Sequence, residues 1–117
     1  MRLGFVGVGA IAEAMVEAIC TGPRAGVYDI VLSPRNTQRA QRLAARYPQV
    51  TVAETNQAVV DAADVVFLGV LPPQLAQLCA DLTFRPDHIV GSLVAGMPPS
   101  AVAPLVAPAT RVSQLIP

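Results

Sequence analysis

The sequence predicts an α/β domain: a mainly parallel, doubly wound six-stranded sheet in the order 3-2-1-4-5-6. Three observations predict it. Short apolar, strand-like runs alternate with helix-like segments along the chain, the pattern of βαβ units. A glycine-rich turn, Gly7-Val8-Gly9-Ala10-Ile11-Ala12, joins the first run to the first helix. The 117 residues carry no internal repeat, low-complexity tract or interdomain linker, so residues 1–117 read as one domain with a real core. Strand runs without polar alternation call for helices on both faces, and right-handed crossovers then give the stated order.

Leu3, Phe5 and Val6 lack helical spacing and form the first strand. The turn after it fits G-x-G-x-x-[G/A]. Gly7 allows a tight exit from the strand, Gly9 lets a ligand approach the backbone, and Ala12 is small enough for close helix–strand packing. Free N–H groups and the positive end of the helix dipole would hold a dinucleotide pyrophosphate there. The alternative is a strand–helix junction that binds nothing.

The first helix runs from about Ala10 to Cys20, with Ile11, Met15 and Ile19 on one face and Glu13 and Glu17 on another. Gly22-Pro23 ends it. Tyr28–Leu32 is a second strand and Ser33-Pro34-Arg35-Asn36 a turn. Thr37–Tyr47 is a helix with Leu43 inward and Arg39, Arg42 and Arg46 mostly outward; Pro48 stops it. Val50–Ala53 is a short strand, and Asn56–Ala62 a helix with Asn56 as N-cap. Val65–Val70 is a buried strand closed by Pro72-Pro73, followed by a helix over Gln74–Leu82. Ile89–Val94 is a strand, Ser100–Val106 a short helix and Arg111–Leu115 the last strand.

Composition narrows the function. Lys+Arg and Asp+Glu are 8 each, so no net charge attracts nucleic acid or an anionic membrane. All eight basic residues are arginine, which removes lysine-amine chemistry from this chain. Ile89–Thr110 is uncharged for 22 residues, but Pro98, Pro99, Pro104 and Pro108 with Gly91 and Gly96 break it into shorter elements rather than a membrane span. Arg2 is followed by an apolar run that soon meets Glu13, unlike a signal peptide, and a cytoplasmic location is expected. Cys20 and Cys79 lack a C-x-x-C or a nearby histidine and read as small buried residues, not a metal site. His88, the sole histidine, precedes an apolar run and reads as a strand-edge residue.

In such a sheet a ligand binds beyond the carboxyl ends of the strands, where strand order reverses. Five loops meet there: Gly7–Ala12, Ser33–Asn36, Ala53–Asn56, Val70–Pro73 and Val94–Met97. The second loop chooses the cofactor. A chain preferring NAD places Asp or Glu at the end of the second strand; here Ser33 stands there, with Arg35 two residues on. A hydroxyl and a guanidinium suit a 2′-phosphate, hence NADP(H), with Arg39 one turn further.

Taken together, G-F-V-G-V-G-A-I-A-E-A-M (Gly4–Met15), L-S-P-R-N (Leu32–Asn36), D-A-A-D-V-V-F-L-G-V (Asp61–Val70), S-L-V-A-G-M (Ser92–Met97) and R-V-S-Q-L-I-P (Arg111–Pro117) resemble the N-terminal domain of the pyrroline-5-carboxylate reductase family. The resemblance implies a Rossmann domain that binds NADP(H), followed by a helical domain that makes the oligomer and most of the pocket for a cyclic imino acid. It implies that Gly7, Gly9, Ala10, Ile11 and Ala12 line the pyrophosphate, that Ser33 and Arg35 face the 2′-phosphate, and that Asn56 lies near the adenosine. Val70, Leu71, Pro72, Ala95 and Gly96 then fall along the nicotinamide half. Leu71 stands where the family usually has lysine, and Gln114 and Ile116 where it often has Arg and Met. The helical domain is not in this chain, so the chain alone is expected to bind NADP(H) but turn over little. A cofactor of this type carries a hydride to the C=N carbon of the imine. Other readings are the NADP-binding domain of an F420-dependent NADP reductase or a β-hydroxyacid dehydrogenase, a non-catalytic NADP-sensing module, and a Rossmann domain with an empty turn.

Overall fold

The apolar runs form six strands in the computed structural model, which describes residues 1–34 and 37–115. They are β1 Arg2–Val6, β2 Asp29–Leu32, β3 Val50–Val52, β4 Val65–Leu68, β5 Ile89–Ser92 and β6 Arg111–Gln114. All neighbouring pairs are parallel, in the order β3-β2-β1-β4-β5-β6, so the predicted sheet is the observed one. Five helices connect them: α1 Ala10–Thr21, α2 Thr37–Arg46, α3 Asn56–Ala62, α4 Pro72–Ala80 and α5 Pro99–Val102, with 3₁₀ turns at Ala25–Val27 and Ala103–Leu105. None of the helices among the described residues is long and apolar enough to cross a membrane.

Strand alternation divides the interior into two cores. Leu3 and Phe5 of β1, Ile30 and Leu32 of β2 and Phe67 of β4 meet α1 and α2 through Val16, Cys20, Ala40 and Leu43. Phe5 and Phe67 are paired in register and their rings stack at 4.8 Å. On the other face Val6, Val66, Leu68 and Val90 meet Val59, Val60, Leu75, Cys79 and Val102 of α3, α4 and α5. The order of winding therefore places α1 and α2 on one face of the sheet and α3 to α5 on the other, as successive side chains of a strand point to opposite faces.

Some local expectations change. The buried stripe of α1 is Ala12, Val16 and Cys20, not Ile11, Met15 and Ile19. Small residues let α1 lie close to the sheet; Met15 and Ile19 flank the contact, and Ile11 is 42% exposed. The N-cap of α3 is Thr55, whose Oγ1 accepts from the Ala58 N–H at 3.0 Å, and Asn56 is the first helical residue. Pro72 and Pro73 do not merely close β4: they open α4, because proline lacks an N–H that the first turn would leave unpaired. The helix after β5 is shorter than expected and passes into the 3₁₀ turn at Pro104.

Candidate cofactor site

β1 and β4 are neighbours in the sheet, yet their crossovers leave in opposite directions, to α1 on one face and α4 on the other. A cleft of about 850 Å³ opens where they part, lined by the glycine turn, Gln38, Gly69 to Pro72, Gln74, Leu93 and Ala95. Predicted residues Gly7, Gly9, Ala10, Ile11, Ala12, Val70, Leu71, Pro72 and Ala95 are thus brought to one cavity.

The turn is built by close backbone crossing. Gly7 has φ +87°, a conformation that favours glycine. A Cβ on it would collide with the Gly69 carbonyl, and a Cβ on Gly69 would lie 2.9 Å from the Gly7 carbonyl oxygen. Gly69 N–H donates to Val6 O at 2.8 Å, which prolongs the β1–β4 ladder to the edge of the cleft. Gly9 is different. Its backbone is extended, and nothing lies within 4 Å of where its Cβ would stand. Glycine is needed there for the open space it leaves, not for its conformation.

Gly9 is the N-cap of α1 and supplies no side-chain cap. The Glu13 N–H is the first to find an intrahelical acceptor, Gly9 O at 2.9 Å. The N–H groups of Ala10, Ile11 and Ala12 therefore stand at the positive end of the helix without an intrahelical acceptor. A bare backbone at a helix N-terminus, facing an open cleft, fits a pyrophosphate.

The remaining predicted residues lie elsewhere. Ser33 is fully buried, and its Oγ accepts the Gly7 N–H at 2.9 Å. The resemblance puts Ser33 at a 2′-phosphate; in the structure its hydroxyl is directed to the glycine turn. Arg35 lies outside the described residues. Asn56 lines a second groove of about 560 Å³ between α3 and α4, which shares Gln74 with the main cleft. Gly96 follows Ala95 at φ +77° but does not itself line the cleft. Arg39, placed one turn beyond the second loop, has its Nε 3.5 Å from Glu13 Oε2.

Sequence reasoning missed Gln38, Gly69, Gln74 and Leu93 as lining residues. Gly69 carried a readable signal, a glycine directly after an apolar strand. The two glutamines carried none, since only the packing of α2 and α4 brings them to the same rim. No titratable side chain is among the described residues that line the cleft. Among the described residues no group of three His, Cys, Asp or Glu side chains is placed to hold a metal ion. The cleft can bind, orient and exclude water through backbone, amide and apolar groups.

Residues 2–96 match the family described as NADP oxidoreductase, coenzyme F420-dependent. The chain is 30% identical over 100 residues to pyrroline-5-carboxylate reductase of Corynebacterium melassecola, covering 81% of this chain and 36% of that protein. It spans 35–41% of the length of the curated relatives it matches. Among solved structures it is similar to 1-pyrroline-5-carboxylate reductase of Streptococcus pyogenes, with TM-score 0.81 and 23% identity over all of this chain and 42% of that one. An imine reductase of Aspergillus terreus in complex with NADPH4 gives TM-score 0.72 and 20% identity, covering 98% of this chain and 39% of that one. These structural likenesses show the same doubly wound fold. The match over most of its residues, on a sheet with this turn and this cleft, shows that the chain belongs to the NADP oxidoreductase, coenzyme F420-dependent family: it is an NADP-binding oxidoreductase domain related to the pyrroline-5-carboxylate reductases.

Proposed function

We propose that this chain is the cofactor-binding part of a cytoplasmic reductase that converts the C=N bond of 1-pyrroline-5-carboxylate, a cyclic imino acid, to the amine of proline. The observation that carries the reading is the continuous cleft from the α1 N-terminus across Gly69 to Leu93 and Ala95. The relatives named as pyrroline-5-carboxylate reductases support the substrate class.

NADPH, when bound, supplies a hydride from C4 of its nicotinamide ring. The N–H groups of Ala10, Ile11 and Ala12 hold the diphosphate. Val70, Leu71, Pro72, Leu93 and Ala95 offer an apolar wall to the nicotinamide half and keep water from the reacting carbon. Arg35, in L-S-P-R-N, is the cation for the 2′-phosphate. The proton that the imine nitrogen needs, and most of the substrate pocket, come from outside this chain, from a helical domain that also makes a homo-oligomer. A second reading, the NADP-binding part of an F420-dependent NADP reductase, is favoured by the description of the matching family.

The test is a calorimetric titration with NADPH and NADH, repeated on Arg35→Ala. Tighter binding of NADPH, lowered towards the NADH level by the substitution, is the expected result; binding without preference would remove Arg35 from the site. Imine reduction assayed after the chain is joined to a helical domain from a relative would separate the two substrate readings.

A further inference from the structure

Ser33, just past the end of β2, touches the glycine turn. Its N–H donates to Phe5 O at 3.0 Å and its Oγ accepts from Gly7 N at 2.9 Å, so it grips β1 on both sides of Val6. From the opposite side Gly69 N–H donates to Val6 O at 2.8 Å. Gly7 therefore turns at φ +87° between two strand ends that both hold it. Ser33, Ser92 and His88 are the buried polar or charged side chains among the described residues, and Ser33 alone of them reaches the turn. An alanine there would leave the Gly7 N–H without this acceptor, at a turn that is itself partly buried.

We propose that Ser33 is a positioning residue for the dinucleotide turn: its buried hydroxyl takes up the Gly7 N–H and fixes the turn so that the phosphates meet only the N–H groups at the start of α1. The role rests on the cleft being the cofactor site. It gives the second loop two separate tasks. Ser33 shapes the turn for either nicotinamide dinucleotide, and recognition of the 2′-phosphate falls to residues beyond it.

The experiment combines hydrogen exchange at the Gly7 amide of ¹⁵N-labelled protein with calorimetric titration of the wild type and Ser33→Ala. The Gly7 amide is expected to be protected in the free protein and to stay protected with NADPH. Ser33→Ala is expected to weaken NADPH and NADH by the same factor, about three- to tenfold for one lost hydrogen bond, leaving their ratio unchanged. Three results would overturn the role: a Gly7 amide protected only when NADPH is bound, a selective loss of NADPH affinity, or a lower melting temperature with both affinities intact. The exchange measurement on the wild type decides the matter even if the variant does not fold. A wild type that binds neither nucleotide would overturn the reading of the cleft itself and the positioning role with it, a result visible before any variant is made.

Discussion

Glu13 of α1 and Arg42 of α2 are joined by a 3.1 Å hydrogen bond between Oε2 and Nη2, and Arg39 Nε stands 3.5 Å from the same oxygen. One carboxylate thus ties two turns of α2 to the first turn of α1, beside the cofactor turn. The pairs lie at the surface: 65% of the Arg42 side chain is exposed, and Arg39 and Glu13 keep 29% and 25%. Glu13→Gln is therefore expected to cost less than about 1 kcal/mol. Chemical denaturation in urea at low and high salt checks this: the difference from wild type should shrink as salt is added.

Gly7→Ala and Gly9→Ala should separate folding from binding. A methyl at Gly7 meets the Gly69 carbonyl and a positive φ, so a loss of about 1–3 kcal/mol is expected, with nucleotide affinity falling alongside. A methyl at Gly9 meets nothing, so stability should change by less than about 1 kcal/mol at this N-cap. It would stand in the cleft where the phosphates approach, so affinity for NADPH should still drop at least tenfold. Melting curves and titrations on the two variants give the comparison.

His88 clasps the far end of the sheet. Its Nδ1 accepts the Arg85 N–H at 2.9 Å, which leaves the proton on Nε2, 2.9 Å from Val60 O. The Arg85 guanidinium donates to Asp61 O and Ala63 O, at the C-terminal end of α3. His88→Ala removes both ring bonds and opens a void, so a loss of about 2–4 kcal/mol is expected. NADPH affinity should be unchanged in the folded fraction, because His88 precedes β5 and the cleft lies past the strands' carboxyl ends. Denaturation and titration together read both halves of this expectation.

Burial pushes the Cys79 thiol up to about 11 and raises that of Cys20 as well. The folded state therefore favours the protonated thiol. The stability this gives Cys79 is fully present below the pKa of the unfolded chain, near 9, and is lost as pH rises towards about 11. Unfolding free energy measured between pH 8 and 11 should fall more steeply for wild type than for Cys79→Ala. Near pH 7 both thiols should react slowly with a disulfide reagent until the chain is unfolded.

What could be read in the sequence were the features with a local cause. The strand order followed from alternating elements and the handedness of crossovers. The glycine turn was legible because its spacing answers a backbone need. The direction of a side chain was not. Ser33 carries the right chemistry for a phosphate, and only the approach of β2 to Gly7 turns its hydroxyl inward. Pro72 was equally ambiguous, since proline both ends a strand and begins a helix. The α1 stripe was misread because apolar bulk pointed to Ile11, Met15 and Ile19, whereas the close approach of helix to sheet selected Ala12, Val16 and Cys20. Gln38 and Gln74 became neighbours of one cleft only through tertiary packing.

The two interior cores have a thermodynamic consequence. The cleft takes Val8, Ala12 and Leu93 from one core and Val70 from the flank of the other, so its walls are anchored in both layers. Melting either layer destroys the cavity, and a ligand held there resists the melting of each. Occupancy should therefore convert two packings that meet only through the sheet into one cooperative unit, adding about 2.7 kcal/mol when the ligand is at a hundred times its dissociation constant. Substitutions deep in either layer, such as Leu43→Ala or Leu75→Ala, would then register at the nucleotide, each lowering the fraction of molecules ready to receive it.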